Sequence, residues 1–212
     1  MKTFGGMDWS IAHSLNSFLA RNDGVEDPLL LYVQASEALF LGMLVAVIAL
    51  ARHQRGASAR RAAAAAGLSA GLALLAGKII TQFYNRPRPF VAHPGQVHLF
   101  ISHAADASFP SDHATASAAI AVAILLRSKL RWGSVMMLFA VILMFGRVAL
   151  GLHYPTDVIG GALIGTLAAL ALWTRPIRSL IDTATDRTGA WWDQGLDAAL
   201  RIPRRLARAG QR

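Results

Sequence analysis

Long apolar stretches alternate with short polar ones along this chain. The mostly apolar segments run over approximately 29–51, 62–80, 112–126, 132–150 and 157–174. A helix needs about 20 mostly apolar residues to cross a hydrocarbon core of roughly 30 Å, and four of the segments meet that length while the third is slightly short. The pattern predicts an all-α integral membrane bundle of about five transmembrane helices.

Charge orients this bundle in the membrane. The 212 residues are 54% hydrophobic and carry a net charge of +9, a balance that by itself also fits nucleic-acid binding. Four, three and eight of the 21 lysines and arginines lie in 52–61, in 127–131 and after 174, all on one side of a five-span threading. By the positive-inside rule that side is cytoplasmic, so we expect membrane lipids and no nucleic acid as partners.

Both ends of the chain have amphipathic patterns outside the spans. In "DWSIAHSLNSFLA", Asp8 fits an N-cap and apolar residues recur at helical spacing, which predicts an interfacial helix on the outer surface. The stretch 176–212 mixes tryptophan and leucine with arginines and predicts a basic, amphipathic tail on the cytoplasmic side. We therefore divide the chain into a membrane domain, 1–175, with its motif core at 78–157, and this tail.

Four basic residues near the outer ends of the spans are not explained by topology: Lys78, Arg86, Arg88 and Arg147. They occur in "KIITQFYNRPRPF" and "GRVALGLHYPTD", and "FPSDH" lies on the same side. Four cations with two histidines and few carboxylates indicate a pocket for a multiply charged anion, with phosphate as the leading case. A helix that begins at Ser111 adds backbone N–H groups that favour an anion.

His153, Asp157 and His113 fit an acid–base arrangement. If the last span begins near Tyr154, the carboxylate of Asp157 can accept the Nδ1 proton of His153 and leave Nε2 unprotonated. His153 is then a nucleophile or base, and His113 is the acid for a departing oxygen. Two histidines in a cationic cage, without a cluster of metal ligands, suggest phosphoryl transfer through a phosphohistidine with no metal.

Three further acidic residues are not part of this acid–base arrangement. Asp106 fits a turn, and Asp112 fits a charge at the start of a helix. Glu37 lies inside the first apolar span, where an ionisable residue suggests a role with the substrate. The alternative for Glu37 is a shallow position that reaches the outer interface.

These motifs resemble those of the type 2 phosphatidic acid phosphatase (PAP2) family. The Pro-Ser-x-His motif stands intact as "PSDH", and Ser-Arg-x5-His-x3-Asp stands as "GRVALGLHYPTD" with Gly146 in place of serine. The first motif separates Lys from Arg-Pro by six residues, whereas Lys78 is separated from Arg86 by seven and from Arg88 by nine. Alignment from "RPRPF" favours Arg88, with Arg86 as the alternative.

Within that family, "HAADASFPSDHA" and "NRPRPF" look like the bacitracin-resistance branch, the undecaprenyl pyrophosphate phosphatases. The resemblance implies hydrolysis of undecaprenyl pyrophosphate to undecaprenyl phosphate on the outer face of the bacterial plasma membrane, without metal or other cofactor. It makes His153 the nucleophile, Asp157 its partner and His113 the acid. The implied phosphate ligands are Lys78, Arg88 or Arg86, Ser111 and Arg147.

Two alternatives stay open at this point. The first is a phosphatase of phosphatidic acid, phosphatidylglycerol phosphate or another lipid phosphate. The second, from a different class, is a lipid or anion transporter whose basic cluster only binds its ligand. The oligomeric state is open as well.

Overall fold

The structure is a computed structural model that describes residues 4–53, 57–127 and 130–189. Within those ranges all regular structure is helical, as predicted. The helices are α1 (Phe4–Leu19), α2 (Asp23–His53), α3 (Ala57–Phe83), α4 (Pro89–Ala92), α5 (Asp112–Arg127), α6 (Leu130–Ala149) and α7 (Pro155–Trp173), and residues 175–189 are helical too.

Four of these helices, α2, α3, α6 and α7, are long and apolar enough to cross a membrane. They coincide with four predicted spans, although α2 and α3 extend beyond the apolar stretches at both ends. At its start α2 extends because Asp23 and Glu26 occupy its first turn, where acidic side chains favour a helix N-terminus. The fifth predicted span is α5, which has 16 residues and contacts α3, α6 and α7.

Small residues let α5 and α7 approach each other closely. A Cβ atom added at Gly161 would lie 2.7 Å from the carbonyl oxygen of Ser111, and one added at Gly165 would lie 2.3 Å from the carbonyl oxygen of Thr115. Such approach through glycine is typical of helix pairs in membranes, where packing replaces the hydrophobic effect. The packing sets the first turn of α5, with His113, beside the first turn of α7, with Asp157.

The amino-terminal helix packs on the bundle, and the prediction of Asp8 as its N-cap is wrong. Asp8 lies inside α1 and is buried, and its carboxylate accepts the backbone N–H of Thr156 at 3.0 Å. The carboxylate therefore serves the first turn of α7 and not that of its own helix. The face of α1 that carries Ala12 and Leu19 is buried, whereas Ile11 is half-exposed.

The helical stretch 175–189 is fixed to the end of the bundle remote from α1. Arg61 of α3 pairs with Asp186, and Arg127 of α5 pairs with Asp182. Ile181, which directly precedes Asp182, is buried. The predicted tail thus begins as a docked helix, and its remainder from 190 onward lies outside the described residues.

Candidate active site

The turn between α6 and α7 fixes the position of His153. Gly151 has a φ of +76°, which glycine adopts without the steric cost that a Cβ brings. The backbone N–H groups of Leu152 and His153 both donate to the carbonyl oxygen of Arg147, at 3.1 and 3.2 Å. Because Pro155 then starts α7, the backbone is fixed on both sides of His153. Only 1% of His153 is exposed.

A cavity of about 560 Å³ between α2, α3, α5 and α6 has a polar end and an apolar end. The polar end is lined by the basic groups of Lys78, Arg88, His103, His113, Arg147 and His153 and by the carboxylates of Glu37, Asp106 and Asp112. One or two turns further along the helices the lining becomes apolar, with Phe40, Leu41, Leu44, Leu74, Ile120 and Leu143. The predicted anion pocket therefore continues into a hydrophobic cleft.

The ring of His153 presents an unprotonated Nε2 to the cavity. Its Nδ1 lies 2.8 Å from the carbonyl oxygen of Ser108, which can only accept, so Nδ1 carries the proton. Nε2 lies 3.0 Å from Nη1 of Arg88 and 3.3 Å from Nη2 of Arg147. Burial above all lowers the pKa of His153 to about 4; both arginines add to the shift and Asp157 opposes it. The imidazole is therefore neutral at neutral pH.

The predicted hydrogen bond from His153 Nδ1 to Asp157 is not formed. Oδ2 of Asp157 is 3.8 Å from Nδ1; it accepts the hydroxyl of Ser108 at 2.5 Å and the backbone N–H of Tyr154 at 2.8 Å. The reason is that Asp157 occupies the third position of α7 and caps that helix. Ser108 approaches Nδ1 of His153 with its carbonyl oxygen at 2.8 Å and with its hydroxyl at 3.4 Å. Sequence reasoning missed it because the shorter contact is made by a backbone group, which every residue type has, and because the two residues are 45 positions apart.

The two motif arginines face different surroundings. Arg88 is buried at the N-cap of α4, lines the cavity and donates from Nε to Asp106 at 2.8 Å. Arg86 lies outside the cavity lining and donates to Asp157 at 2.8 Å and to Asp8 at 2.7 Å. Burial lowers the pKa of Arg86, but the two carboxylates outweigh burial and raise the pKa overall. Of the two, Arg88 is the one that faces the cavity.

Asp8 ties α1 to this network. It accepts from Arg86 and from both the backbone N–H and the hydroxyl of Thr156. The guanidinium carbon of Arg86 also lies 3.8 Å from the ring centroid of Tyr154, a cation–π contact. Asp8 and Arg86 are 78 positions apart, so no local pattern could have indicated their pairing.

Arg147 is a buried cation on the cavity, as enclosed as Arg88. It is 5% exposed, and Nη2 lies 3.3 Å from Nε2 of His103. Its Nε has no hydrogen-bond partner among the described residues, which suits a guanidinium that receives an anion. Burial lowers the pKa of His103, and Arg88 and Arg147 lower it further, so this second imidazole beside Arg147 is neutral at neutral pH.

His113 and Lys78 also line the cavity, and each has an acidic partner. Nε2 of His113 lies 3.1 Å from Oε1 of Glu37. Nζ of Lys78 lies 3.2 Å from Oδ2 of Asp112. Ser111 is instead fully buried, outside the cavity lining. The structure therefore brings most of the predicted site residues to one cavity, and Ser111, Asp157 and Arg86 lie behind it.

Gly146, which stands where the third motif usually has serine, faces α2. A Cβ atom there would lie 2.5 Å from Cγ2 of Val33 and 3.1 Å from Cδ1 of Leu29. Glycine at this position therefore permits the close packing of α2 on α6.

Comparison with known proteins agrees with this architecture. The family model of the PAP2 superfamily matches residues 62–179. The chain is 32% identical over 161 residues to undecaprenyl-diphosphatase BcrC of Bacillus subtilis, covering 76% of this chain and 80% of that protein. It is 33% identical over 151 residues to decaprenylphosphoryl-5-phosphoribose phosphatase of Mycolicibacterium smegmatis, covering 64% and 81%.

The fold is also shared with a solved structure. The crystal structure of the first transmembrane PAP2 type phosphatidylglycerolphosphate phosphatase from Bacillus subtilis matches with a TM-score of 0.59 and 20% identity, covering 78% of this chain and 82% of that one.

Proposed function

The chain belongs to the PAP2 superfamily and is a multi-pass membrane protein, and from that premise we propose that it hydrolyses undecaprenyl pyrophosphate to undecaprenyl phosphate and phosphate. The observation that carries the proposal is the buried, neutral imidazole of His153, whose Nε2 faces the cavity between Arg88 and Arg147. The similarity to the undecaprenyl-diphosphatase of Bacillus subtilis over most of both chains supports the choice of substrate.

In the proposed reaction, Nε2 of His153 attacks the terminal phosphorus. The bond from phosphorus to the bridging oxygen breaks, and His113 gives its proton to that oxygen. Arg88 and Arg147 neutralise charge on the equatorial oxygens as the bond breaks, and Lys78 contributes a further cation. Water then attacks the phosphohistidine, His113 takes a proton from it, and phosphate leaves.

The second layer behind the nucleophile completes this proposal. Asp157 acts on His153 through Ser108 and by its charge. Ser111 lies at the start of α5, and the backbone N–H groups of the first turn of that helix favour phosphate binding. Arg86 holds Asp157 and does not itself bind phosphate. The donor set also favours a reaction without metal: among the described residues no three His, Cys, Asp or Glu side chains are grouped to hold an ion. The carboxylates at the polar end are each paired with a basic group, Glu37 with His113, Asp106 with Arg88 and Asp112 with Lys78.

The apolar end of the cavity supports a lipid as the substrate. Leu44 of α2 and Leu74 of α3 lie one or two turns below the polar end and line the same cavity. Leu41 lies between the polar end and Leu44 on α2 and is 64% exposed on the outside of the bundle. An isoprenoid chain could thus occupy the cleft between α2 and α3 while its diphosphate meets the basic groups.

We further propose that the site opens on the outer face of the bacterial plasma membrane. Arg61, near the start of α3, and Arg127, at the end of α5, lie at the opposite end of the helices from His153, in the two basic segments 52–61 and 127–131 that the positive-inside rule assigns to the cytoplasm. Undecaprenyl phosphate would then be released on that face.

Phosphate release by the purified full-length protein tests the proposal. Wild type should release phosphate from undecaprenyl pyrophosphate in the presence of EDTA, and His153→Asn should lower kcat by at least about a thousandfold because the nucleophile is lost. His13→Asn, a change of the same type on the exposed face of α1, should keep full activity. Activity retained in His153→Asn would overturn the histidine mechanism, and loss of activity in EDTA would overturn the metal-free one.

A second candidate is the hydrolysis of another lipid phosphate, which the 33% identity to decaprenylphosphoryl-5-phosphoribose phosphatase favours. The same assay distinguishes the two when undecaprenyl pyrophosphate is compared by kcat/KM with decaprenylphosphoryl-5-phosphoribose, phosphatidic acid and phosphatidylglycerol phosphate. A transporter would release phosphate from none of them and would tolerate His153→Asn.

A further inference from the structure

Glu37 is a carboxylate that the proposed reaction does not use. It lies near the middle of α2, a helix long and apolar enough to cross a membrane, and it lines the catalytic cavity beside Phe40 and Leu41. Its side chain is 81% exposed, which also fits the alternative interpretation of a shallow residue that reaches the outer interface. At either depth, an ionisable residue that lines this cavity is a candidate for a function.

The partner of Glu37 is His113. Oε1 lies 3.1 Å from Nε2 of the imidazole, and among the described residues the structure gives Glu37 no other hydrogen-bonding partner. A carboxylate only accepts, so Nε2 of His113 carries the hydrogen. Nδ1 is then the ring nitrogen that is left to exchange a proton with the substrate.

Glu37 is also the carboxylate that faces His113 amid positive charge. The other groups that act on this imidazole are Arg147 from α6, Arg88 and His103 from the segment before α5, and His153 from the turn after α6. Lys78 of α3 is engaged by Asp112. The guanidinium groups oppose protonation of His113, and a carboxylate at hydrogen-bonding distance offsets them.

We propose that Glu37 is a positioning residue for the acid–base histidine, a role that rests on the function proposed above. By accepting the Nε2–H it holds the ring so that Nδ1 faces the leaving oxygen, and its charge favours the protonated imidazole that must donate there. When Nδ1 has given its proton to the bridging oxygen, the bond to Glu37 keeps His113 in the tautomer with Nδ1 free. In the second step Nδ1 takes the proton of the attacking water, and the imidazolium is restored against Glu37.

Three variants of the full-length protein test this role with undecaprenyl pyrophosphate as substrate. Glu37→Gln should lower kcat by about ten- to a hundredfold, a part of what a general acid contributes, with KM changed less than about threefold. The pH above which kcat declines should move to a lower value, because the charge that favours the imidazolium is gone. Glu37→Asp should recover part of kcat, and the control Asp27→Asn, which removes an exposed carboxylate from the same helix, should match wild type.

A double variant separates this role from a structural one. If Glu37 acts through His113, adding Glu37→Gln to His113→Asn should lower kcat no further than about twofold. A full additional loss in the double variant, an unchanged kcat in Glu37→Gln, or a lowered Tm with an unshifted pH profile would overturn the inference. A wild-type protein that releases no phosphate from any lipid would overturn the proposed function itself.

Discussion

Arg86 and Arg88 stand two positions apart, yet one contacts the carboxylates behind the site and the other lines the cavity. We expect Arg88→Ala to weaken inhibition by inorganic phosphate at least about tenfold, because a bidentate donor is lost. Arg86→Ala should leave the inhibition constant unchanged within about twofold and destabilise the protein by about 3 kcal/mol, because Asp157 is left buried without its cation.

Phosphate inhibition and thermal unfolding of the two variants, measured side by side in detergent, check this division. Weakened phosphate binding in Arg86→Ala with an unchanged Tm would mean that Arg86, and not its neighbour, holds the substrate.

The pKa of His153 gives a pH dependence of stability with a defined sign. The pKa is about 4 in the folded protein and about 6.5 in an unfolded chain. Between these values the unfolded chain binds the additional proton, so the free energy of unfolding decreases as the pH falls from about 6.5 to about 4. The decrease in the free energy of unfolding that comes from His153 reaches about 3 kcal/mol at most.

His153→Gln removes this contribution and keeps the neighbouring charges. Its Tm should therefore depend less steeply on pH between 4 and 6.5 than that of wild type, whatever its absolute stability. Equal slopes in the two proteins would show that His153 is not held neutral.

Side chains of the site could be predicted from sequence to the extent that their own chemistry marks them. His113, His153 and Arg88 are recognisable because neither hydropathy nor topology explains cations and histidines at these ends of the apolar spans, which indicates a functional role. The carbonyl of Ser108 and the ion pair of Asp8 could not be predicted, because the first is a backbone group and the second depends on tertiary structure.

At the level of elements, the contact between α5 and α7 sets the geometry of the site. We expect Gly165→Ala to destabilise the protein by roughly 1–3 kcal/mol, because the methyl group overlaps the backbone of α5 and forces the helices apart. kcat should fall with it, since His113 and Asp157 sit on the two helices.

Gly71→Ala in α3 is the matched control. Nothing lies within 4 Å of a Cβ atom at Gly71, so its kcat should equal that of wild type, and its Tm should be unchanged or slightly higher because alanine favours a helix more than glycine does. Comparable losses in both variants would show that the close approach of α5 and α7 does not explain the effect.

The helices themselves could be predicted because one rule, the thickness of the hydrocarbon core, governs every span. Hydropathy does not predict the elements outside the spans, because local backbone geometry and ion pairs determine them. The single turn α4 depends on the proline after Arg88, and the docking of 175–189 depends on ion pairs of Asp182 and Asp186 with distant arginines.

Arginines lie at both ends of the whole molecule, but in different surroundings. At the end that carries His153, Arg147 and Arg88 face a cavity. At the other end Arg61 and Arg127 are engaged by aspartates of 175–189. Arginines that face a cavity are suited to binding a ligand. Arginines that are paired with aspartates at the other end are suited to setting the orientation of the chain in the membrane.

This asymmetry predicts which end meets which side of the membrane, and the chain is suited to the test because it contains no cysteine. A single Gln96→Cys, in the exposed loop before α5, should react with a membrane-impermeant maleimide in intact bacterial cells. Ser58→Cys, exposed at the start of α3, should react only after the cells are opened. Since Arg60 and Arg61 lie two and three positions after Ser58, the reverse pattern of labelling would contradict the positive-inside assignment and move the site to the cytoplasmic face.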